Sequence, residues 1–220
     1  MRVLVGCEFS GVVRDAFARR GHDAWSCDLL PAETTGHHIQ GDVLDVLNDG
    51  WDLAIFHPPC TYLCSSGLHW NRRIEGREAL TDEALAFVRT LMDAPVARIA
   101  IENPVGCIGT QLRKADQIIQ PWQFGHDASK TTCLWLKNLP PLRPTRWIAP
   151  RLVNGKQRWA NQTDGGQNRL APSPDRWKER SRTYEGIAGA MAEQWTADAA
   201  APPTVVQPPL FVWPDEASDA

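Results

Sequence analysis

The first half of the chain alternates short apolar runs with segments whose apolar residues recur at helical spacing. Four apolar runs have the length of a buried strand: residues 2–6, 24–27, 51–56 and 97–101. Residues 11–20 and 75–92 carry apolar side chains on one helical face. Strands that alternate with helices predict an α/β fold with a doubly wound, mostly parallel sheet.

The second half of the chain follows another pattern. Residues 117–124 and 132–137 predict two further strands, and residues 183–195 return to helical spacing. Between them, residues 139–178 are rich in Pro, Arg, Trp and Gly and have no period. A stretch of that length without regular structure favours a functional segment over an ordinary loop.

These patterns divide the chain into four parts. An α/β domain is predicted at residues 1–138, and a basic, Trp- and Arg-rich loop at residues 139–182. A helix at residues 183–196 returns to the α/β domain. Residues 197–220 are rich in Ala, Pro and acidic residues, and this composition predicts a disordered tail.

Charge is distributed unevenly along the chain, although the net charge is only −3. Between positions 111 and 182 there are fourteen Lys and Arg residues but only five Asp and Glu residues. The same stretch carries five tryptophans: Trp122, Trp135, Trp147, Trp159 and Trp177. Basic residues interleaved with aromatic ones suit a polyanion whose bases can stack, so nucleic acid is the predicted partner. The alternative is a solvated basic face over tryptophans that belong to the core.

Cysteine usage and hydropathy bear on the compartment. The six cysteines are scattered and form no CxxC pair, which predicts neither a disulfide framework nor a metal site and favours a reducing cytoplasm. No apolar run approaches the length of a membrane span, and the apolar start is interpreted as a first strand rather than a signal peptide.

A strand–loop–helix unit at the start of the chain predicts a cofactor site. Its loop consists of Cys7, Glu8, Phe9, Ser10 and Gly11. A loop between a first strand and a helix N-terminus can offer backbone N–H groups to a ligand. Asp28 ends the second strand and could accept ribose hydroxyls, while Asp42 lies where a further strand of such a fold should end and could accept an adenine amino group. Taken singly, each aspartate is equally an ordinary turn or capping residue, but their order favours an adenosine-containing cofactor.

A cysteine follows two prolines at the carboxyl end of the run at 51–56. Ligands bind at this end of the strands in open α/β sheets, and the prolines hold Cys60 on a stiff turn. A free thiol has a pKa of about 8.5, so a nucleophilic role requires the site to favour the thiolate or to remove the proton during attack. The alternative is a buried structural cysteine.

A glutamate closes the next apolar strand. Glu102 would be costly there without a task or a partner, and it is expected to face the same crevice as Cys60. The alternative is a Glu that caps a following helix.

Together these residues give the chain a resemblance to the DNA cytosine-5 methyltransferases, in particular to small phage-type members. Pro59-Cys60, with Ser66-Gly67 downstream, resembles the catalytic Pro-Cys loop of that family, and Glu102-Asn103 resembles its Glu-Asn-Val motif. Residues 7–11 lie where the cofactor loop of the family belongs. Residues 183–186 resemble its late cofactor motif.

The resemblance implies a Rossmann-like, class I methyltransferase fold that binds S-adenosylmethionine and acts on cytosine in DNA. It makes residues 1–138 the catalytic and cofactor-binding domain and residues 139–182 a minimal target-binding segment. Cys60 and Glu102 become the catalytic residues. Beyond the loop and the two aspartates, the implied cofactor-binding residues are Val43, Pro58, Tyr184 and Gly186. The implied substrate-binding residues are Pro59, Ser65, Ser66, Asn103, Lys130 and Arg182. The implied location is the cytoplasm of a bacterium or of a phage-infected host.

Two departures from the family accompany this resemblance. No clear Gln-x-Arg-x-Arg strand is present, and residues 130–137 stand in its place. The large target-recognition domain is absent, and residues 139–178 could at most replace it. The sequence leaves the target sequence, the strand state and the oligomeric state open.

The mechanism implied by the resemblance is covalent. Cys60 attacks carbon 6 of cytosine, and Glu102 holds a proton at ring nitrogen 3, for which burial is expected to raise its pKa. Carbon 5 of the resulting enamine can then take a methyl group. His57 is left open between polarising the thiol and bonding the backbone, and Cys64 is interpreted as a packing residue.

Three alternatives remain. An amino-group methyltransferase acting on N4 of cytosine or N6 of adenine usually presents an acid-Pro-Pro-aromatic turn, where this chain has His57 and Cys60. The same ring chemistry could act on a free nucleotide, or transfer another group from a modified donor. A DNA-binding protein without catalysis is disfavoured by the presence of both Cys60 and Glu102.

Overall fold

A computed structural model describes residues 1–197 of the chain. Its strands are β1 (Arg2–Gly6), β2 (Asp23–Asp28), β3 (His38–Gln40), β4 (Leu53–Phe56), β5 (Arg98–Pro104), β6 (Gln117–Ile119), β7 (Thr132–Lys137), β8 (Arg151–Val153) and β9 (Lys156–Arg158). Its α-helices are α1 (Val12–Ala18), α2 (Ser65–Leu68), α3 (Arg77–Met92), α4 (Ile108–Gln111), α5 (Arg176–Ser181) and α6 (Glu185–Gln194). Short 3₁₀ turns occupy Val43–Val46, His69–Arg72 and Pro121–Gln123.

One seven-stranded sheet organises the chain, in the order β3-β2-β1-β4-β5-β7-β6. Strands β1 to β5 run parallel, whereas β7 pairs antiparallel with both β5 and β6. The order reverses at β1, from which the chain builds outward on both sides, as in doubly wound folds. The predicted Rossmann-like α/β fold, with its mostly parallel sheet, is confirmed.

Helices cover both faces of the sheet because its central strands are apolar on both sides. All four residues of β4 are buried, as expected for a parallel strand between two layers. One face packs against α1 and α6, with Phe17 and Met191 in its core. The other face packs against α3 and the turn at Val43–Val46, with Phe56 and Leu91 in its core.

Two predicted strand boundaries are wrong. The strand predicted at 117–124 ends at Ile119, because Pro121 lacks a backbone N–H and begins a 3₁₀ turn closed by Gln120 and Gln123. The strand predicted to stop at 101 continues to Pro104, because the antiparallel partner β7 pairs with it as far as Thr132. Glu102 therefore lies within β5 rather than after it.

The segment at 139–178 is more regular than its composition predicts. Strands β8 and β9 form a hairpin whose turn residues, Asn154 and Gly155, both have positive φ, as the Asn-Gly type of hairpin turn requires. A pair of hydrogen bonds between Asn161 and Ser129 ties this segment to the α/β domain. The predicted tail at 197–220 lies, after its first residue, outside the described residues. No helix in the described 197 residues has the length and apolar character needed to cross a membrane.

Candidate active site

The Cys60 turn follows β4 at the carboxyl edge of the sheet. The backbone N–H groups of Leu63 and Cys64 both donate to the carbonyl of Cys60 at 3.0 Å, which closes the turn. Upstream, the N–H of His57 donates to Gly6 O at 3.0 Å, so the turn starts in register with β1. Cys60 itself is exposed, as a nucleophile that must meet a substrate requires.

This turn is fastened to the chain that follows β5. Ser65 N–H donates to Val105 O at 3.0 Å, and Cys107 N–H donates to Leu63 O at 2.9 Å. Gly106 lies between these bonds, and a Cβ there would stand 1.9 Å from Leu63 O, so no larger residue fits. The position of Cys60 is therefore set by the same strand that carries Glu102.

Asn103 adds a second link between the turn and β5. Its side-chain amide donates to Pro58 O at 2.7 Å, and only 2 % of the residue is exposed. Its carbonyl oxygen is buried without a hydrogen-bond partner in the described part of the chain. The predicted substrate residues Pro59, Ser65 and Ser66 are exposed on the turn and at the start of α2 beside it.

Glu102 is paired with His57, a contact that the sequence did not specify. The Nδ1 atom of His57 lies 2.9 Å from Oε2 of Glu102, and 9 % of each side chain is exposed. Neighbouring parallel strands place the two side chains side by side, since β4 pairs with β5 in register up to Phe56 and Ile101. The expected partner for a buried Glu is therefore present.

The expectation that burial raises the pKa of Glu102 is wrong. Burial does oppose ionisation and is the largest single influence, but the hydrogen bond to His57 and the charge of Lys130 outweigh it, with further help from Thr132. The net result is a pKa below the usual value for a Glu. Glu102 is consequently a carboxylate at neutral pH and a hydrogen-bond acceptor.

Cys60 is influenced by the same charged groups. Partial burial raises the pKa of its thiol, and the neighbouring Cys64 and Glu102 raise it further, while Lys130 acts in the opposite direction. The influence of Glu102 on Cys60, and of Lys130 on both, indicates that these three side chains lie near one another. That Cys60 and Glu102 share one crevice stays a prediction.

Lys130 and Arg182 connect this cluster to the first loop. Lys130 Nζ donates to the carbonyl of Arg182 at 3.2 Å, and the Arg182 guanidinium lies 2.7 Å from Glu33 Oε2. The N–H of Glu33 donates in turn to Phe9 O at 2.9 Å. Phe9 also packs against Trp177 of α5 in a tilted arrangement, with ring centroids 5.7 Å apart. Residues 176–182 therefore lie against the predicted cofactor loop.

The predicted cofactor loop is built differently from a glycine-rich loop. Glu8 is buried and accepts hydrogen bonds from Val13 N–H at 2.7 Å, Arg14 N–H at 3.2 Å and Ser10 Oγ at 3.2 Å. The Glu8 carboxylate therefore caps α1 and occupies these two N–H groups, while the binding of a cofactor by residues 7–11 stays a prediction. Gly11 has φ +75°, a conformation for which glycine is the natural choice.

The two predicted ribose and adenine aspartates lie close to this loop. Asp28 Oδ1 accepts from Leu30 N–H and Asp42 Oδ1 accepts from Leu44 N–H, each at 2.9 Å. Burial, followed by the charges of Asp28 and Asp42, raises the pKa of the Cys7 thiol, so both carboxylates stand near Cys7. The predicted Val43 packs directly over the Cα of Gly6, and these residues therefore share the carboxyl edge of β1 and β2.

Tyr184 and Gly186 meet the loop after β6 rather than the Cys60 turn. Gly186 N–H donates to His126 Nε2 at 2.8 Å, and a Cβ at Gly186 would stand 1.9 Å from Phe124 O. The Tyr184 and His126 rings are 5.1 Å apart. Close packing of α6 is thus a sufficient reason for Gly186, while both residues stay predicted cofactor contacts.

Three of the five tryptophans form a cluster that runs from the buried Trp159 to the exposed Trp147. Trp122 lies 4.9 Å from Trp147 and 5.6 Å from Trp159 between ring centroids, and Trp147 is half exposed. Trp135 belongs to the core of the sheet instead, with 2 % exposure. The alternative of a core tryptophan is therefore correct for Trp135, whereas a nucleic-acid partner for the tryptophan cluster stays a prediction.

The sequence did not identify three features of the site. The Glu8 cap and the His57–Glu102 pair were missed, although a histidine directly before Pro-Pro-Cys was the available signal for the pair. A third feature is a surface next to the Cys60 turn, where Arg73 lies over the ring of Trp70 and Arg77 over that of Tyr62.

Comparison with known proteins finds little similarity. No family model matches the chain, and no curated protein matches it. One solved structure with some likeness is a predicted DNA modification methyltransferase encoded within an E. coli prophage, with a TM-score of 0.42, 16 % identity, and coverage of 70 % of this chain and 53 % of that one. Another is the 16S rRNA methylase RmtB, with a TM-score of 0.32, 17 % identity, and coverage of 61 % and 54 %. The chain thus spans about half the length of each, and likeness at this level carries no argument about the site.

Proposed function

We propose that this chain is an S-adenosylmethionine-dependent methyltransferase that acts on carbon 5 of cytosine in DNA through a covalent bond from Cys60. The observation that carries the proposal is the joint construction of the Cys60 turn and Glu102. The turn is bonded to the chain on either side of Gly106, directly after the strand that holds Glu102. The positive charge of Lys130 acts to lower the pKa of both the Cys60 thiol and the Glu102 carboxyl.

The residues at the carboxyl edge of β1 and β2 fit the proposed cofactor. Asp28 and Asp42 each use one carboxylate oxygen for a backbone amide, and their second oxygens could accept the ribose hydroxyls and the adenine amino group. Because Glu8 already caps α1, the rest of the cofactor would be held by other groups of residues 7–11. When bound, S-adenosylmethionine supplies an electrophilic methyl group.

Each protein group has a defined task in the proposed reaction. The Cys60 sulfur forms a bond to carbon 6 of cytosine, which makes carbon 5 nucleophilic. Glu102, ionised and buried, accepts a hydrogen bond from the polar edge of the ring and so orients it. After alkylation, a water molecule accepts the proton on carbon 5, and the electron pair of that C–H bond re-forms the double bond between carbons 5 and 6. The sulfur leaves carbon 6 as a thiolate, which restores the ring.

The basic segment supplies a surface that suits DNA. The tryptophan cluster (Trp122, Trp147 and Trp159) stands among basic residues, and between positions 143 and 169 six Lys or Arg residues face a single Asp. Exposed indole rings can stack on unpaired bases, and cationic side chains can contact phosphates. A target base in a duplex would have to be flipped out, at a cost of a few kcal/mol.

The proposal is tested by trapping. DNA that contains 5-fluorocytosine cannot lose a proton from carbon 5, so a methylating enzyme remains covalently attached to it. We expect an adduct with the wild type and with Cys64→Ser, but none with Cys60→Ser. Cys64 is the matched control, because it is also a free cysteine, four residues further along the same turn. No adduct with the wild type, or an equal adduct with Cys60→Ser, would refute the thiol mechanism.

Nucleoside mass spectrometry decides between the proposal and its alternatives. DNA from cells that express the chain should contain 5-methylcytosine, and DNA from cells expressing Cys60→Ala should not. A methyl group on an exocyclic amine would instead identify an amino-group methyltransferase. A different added mass would identify a modified donor.

A further inference from the structure

We propose that His57 accepts the proton of the Cys60 thiol during attack, and that Glu102 holds the imidazole in the tautomer whose Nε2 carries the lone pair. This inference rests on the proposed function. It gives His57, which has no role in the covalent mechanism described above, the role of proton acceptor. It depends on the hydrogen bond, the burial and the unpartnered nitrogen of His57.

The hydrogen bond fixes the tautomer. An ionised carboxylate can only accept hydrogen bonds, so the 2.9 Å contact between His57 Nδ1 and Glu102 Oε2 requires the proton to be on Nδ1. The other ring nitrogen of the neutral imidazole, Nε2, is then unprotonated. A base oriented by a carboxylate in this way is the general arrangement that activates nucleophiles.

The surroundings of Nε2 indicate that it is kept for a reacting group. The His57 side chain is 9 % exposed, and its Nε2 is buried without a hydrogen-bond partner in the part of the chain that the structure describes. Buried nitrogens of this kind are nearly always satisfied. Asn103 Oδ1 is also buried without a hydrogen-bond partner in the described residues. The side-chain N–H of Asn103 donates to the carbonyl of Pro58, which lies between His57 and Cys60 in the chain. Two unsatisfied acceptors thus flank one turn.

Charged groups from three elements face His57 or its partner. Glu8 from the loop after β1 is influenced by His57, and Glu102 from β5 is bonded to it. Lys130, just before β7, influences Glu102. Each of these titratable groups has the imidazole or its carboxylate partner in its surroundings.

The proton balance also gives Glu102 a task that suits its ionised state. As the sulfur bonds to carbon 6, its proton passes to His57 Nε2, and the Nδ1 proton passes to Glu102. Glu102 delivers this proton to ring nitrogen 3, while the double bond between carbons 5 and 6 moves to carbons 4 and 5. The electron pair of the former double bond between carbon 4 and nitrogen 3 moves to nitrogen 3 and forms the new N–H bond. Glu102 therefore transmits a proton without having to store one.

The test measures the reactivity of Cys60 and does not require methyl transfer. In a Cys64→Ser background, the rate at which iodoacetamide alkylates Cys60 is followed from pH 5 to pH 9 by peptide mass spectrometry. His57→Asn retains an amide N–H near the position of Nδ1 and lacks a proton acceptor at Nε2. We expect alkylation at pH 7 to slow by about tenfold or more in His57→Asn, in keeping with the usual size of general-base effects. Added imidazole should restore part of the rate.

Each outcome bears on the proposal. A pH profile that is unchanged in His57→Asn overturns it, and so does a slowed rate that imidazole cannot restore in a variant with wild-type thermal stability. If His57→Asn fails to fold, His57→Gln provides the same measurement. A wild type that shows His57-dependent alkylation but no 5-fluorocytosine adduct would refute the proposed function while leaving the proton transfer intact.

Discussion

Replacement of Gly106 by alanine should loosen the Cys60 turn and reduce stability together. A Cβ at position 106 would stand 1.9 Å from Leu63 O and 2.8 Å from Cys64 Cα, where ordinary contact begins at 3.4 Å. The two segments would have to separate by about 1.5 Å, a strain that costs about 1–3 kcal/mol. Weakening the adjacent hydrogen bonds of Ser65 and Cys107 adds about 1–3 kcal/mol.

These terms combine to lower the free energy of unfolding by about 2–6 kcal/mol. For a domain of this size, in which each kcal/mol shifts Tm by about 2–4 °C, such a change lowers Tm by about 4–24 °C. Because a displacement of about 1 Å can cost about a hundredfold in rate, we also expect formation of the 5-fluorocytosine adduct to slow by about that factor in the folded variant. Thermal unfolding and single-turnover trapping measure the two effects separately.

Gly109 provides the matched control three residues away. A Cβ there meets nothing within 4 Å, and Gly109 lies in α4, where alanine is favoured over glycine by up to about 1 kcal/mol. Gly109→Ala should therefore keep or slightly raise Tm and leave trapping unchanged. Equal behaviour of the two variants would contradict the idea that close packing at Gly106 sets the position of Cys60.

Two further predictions concern charge and stacking. Because the folded-state pKa of Glu102 is lowered, its ionised form contributes stability above about pH 4.3 that is lost as the pH falls. Tm measured between pH 7 and pH 3 should therefore fall less steeply for Glu102→Gln than for the wild type, and parallel curves would refute the lowered pKa. Trp147→Ala should weaken binding of single-stranded DNA by about 1–3 kcal/mol with little change in salt dependence, whereas Arg146→Ala should also flatten the salt dependence. Fluorescence titrations at several salt concentrations measure both effects, and unchanged affinity in Trp147→Ala would exclude base stacking at that position.

The fold could be predicted because its signals are local. Strands such as β1 and β4 are apolar on both sides and end at a glycine or at prolines, and α3 has one apolar face. The antiparallel β7 decides how far β5 extends, and this pairing between distant parts of the chain left no mark on the sequence around Pro104. The hairpin of β8 and β9 was overlooked because its strands of three residues are too short for a period to be visible.

The candidate site divides in the same way. Residue types placed at strand ends could be predicted, since β4 and β5 carry Cys60 and Glu102 to one edge of the sheet. The protonation of Glu102 could not, because the direction of its pKa shift depends on a partner that only the folded chain brings within 2.9 Å. Burial alone argues for a raised pKa, and the bond to His57 together with Lys130 reverses the sign.

Glu8 and Glu102 show how two buried glutamates near His57 can differ in function. Burial raises the pKa of Glu8, and the opposite influence of His57 and of the three hydrogen-bond donors does not offset it. Two of these donors are backbone N–H groups at the start of α1. Glu102 accepts from the imidazole and is held ionised. Glu8 therefore accepts its hydrogen bonds from the start of the helix, whereas Glu102 accepts one from a side chain that can gain and lose a proton. Of the two glutamates, Glu102 is the one that lies within hydrogen-bond distance of His57, which is why we assign the proton relay to Glu102.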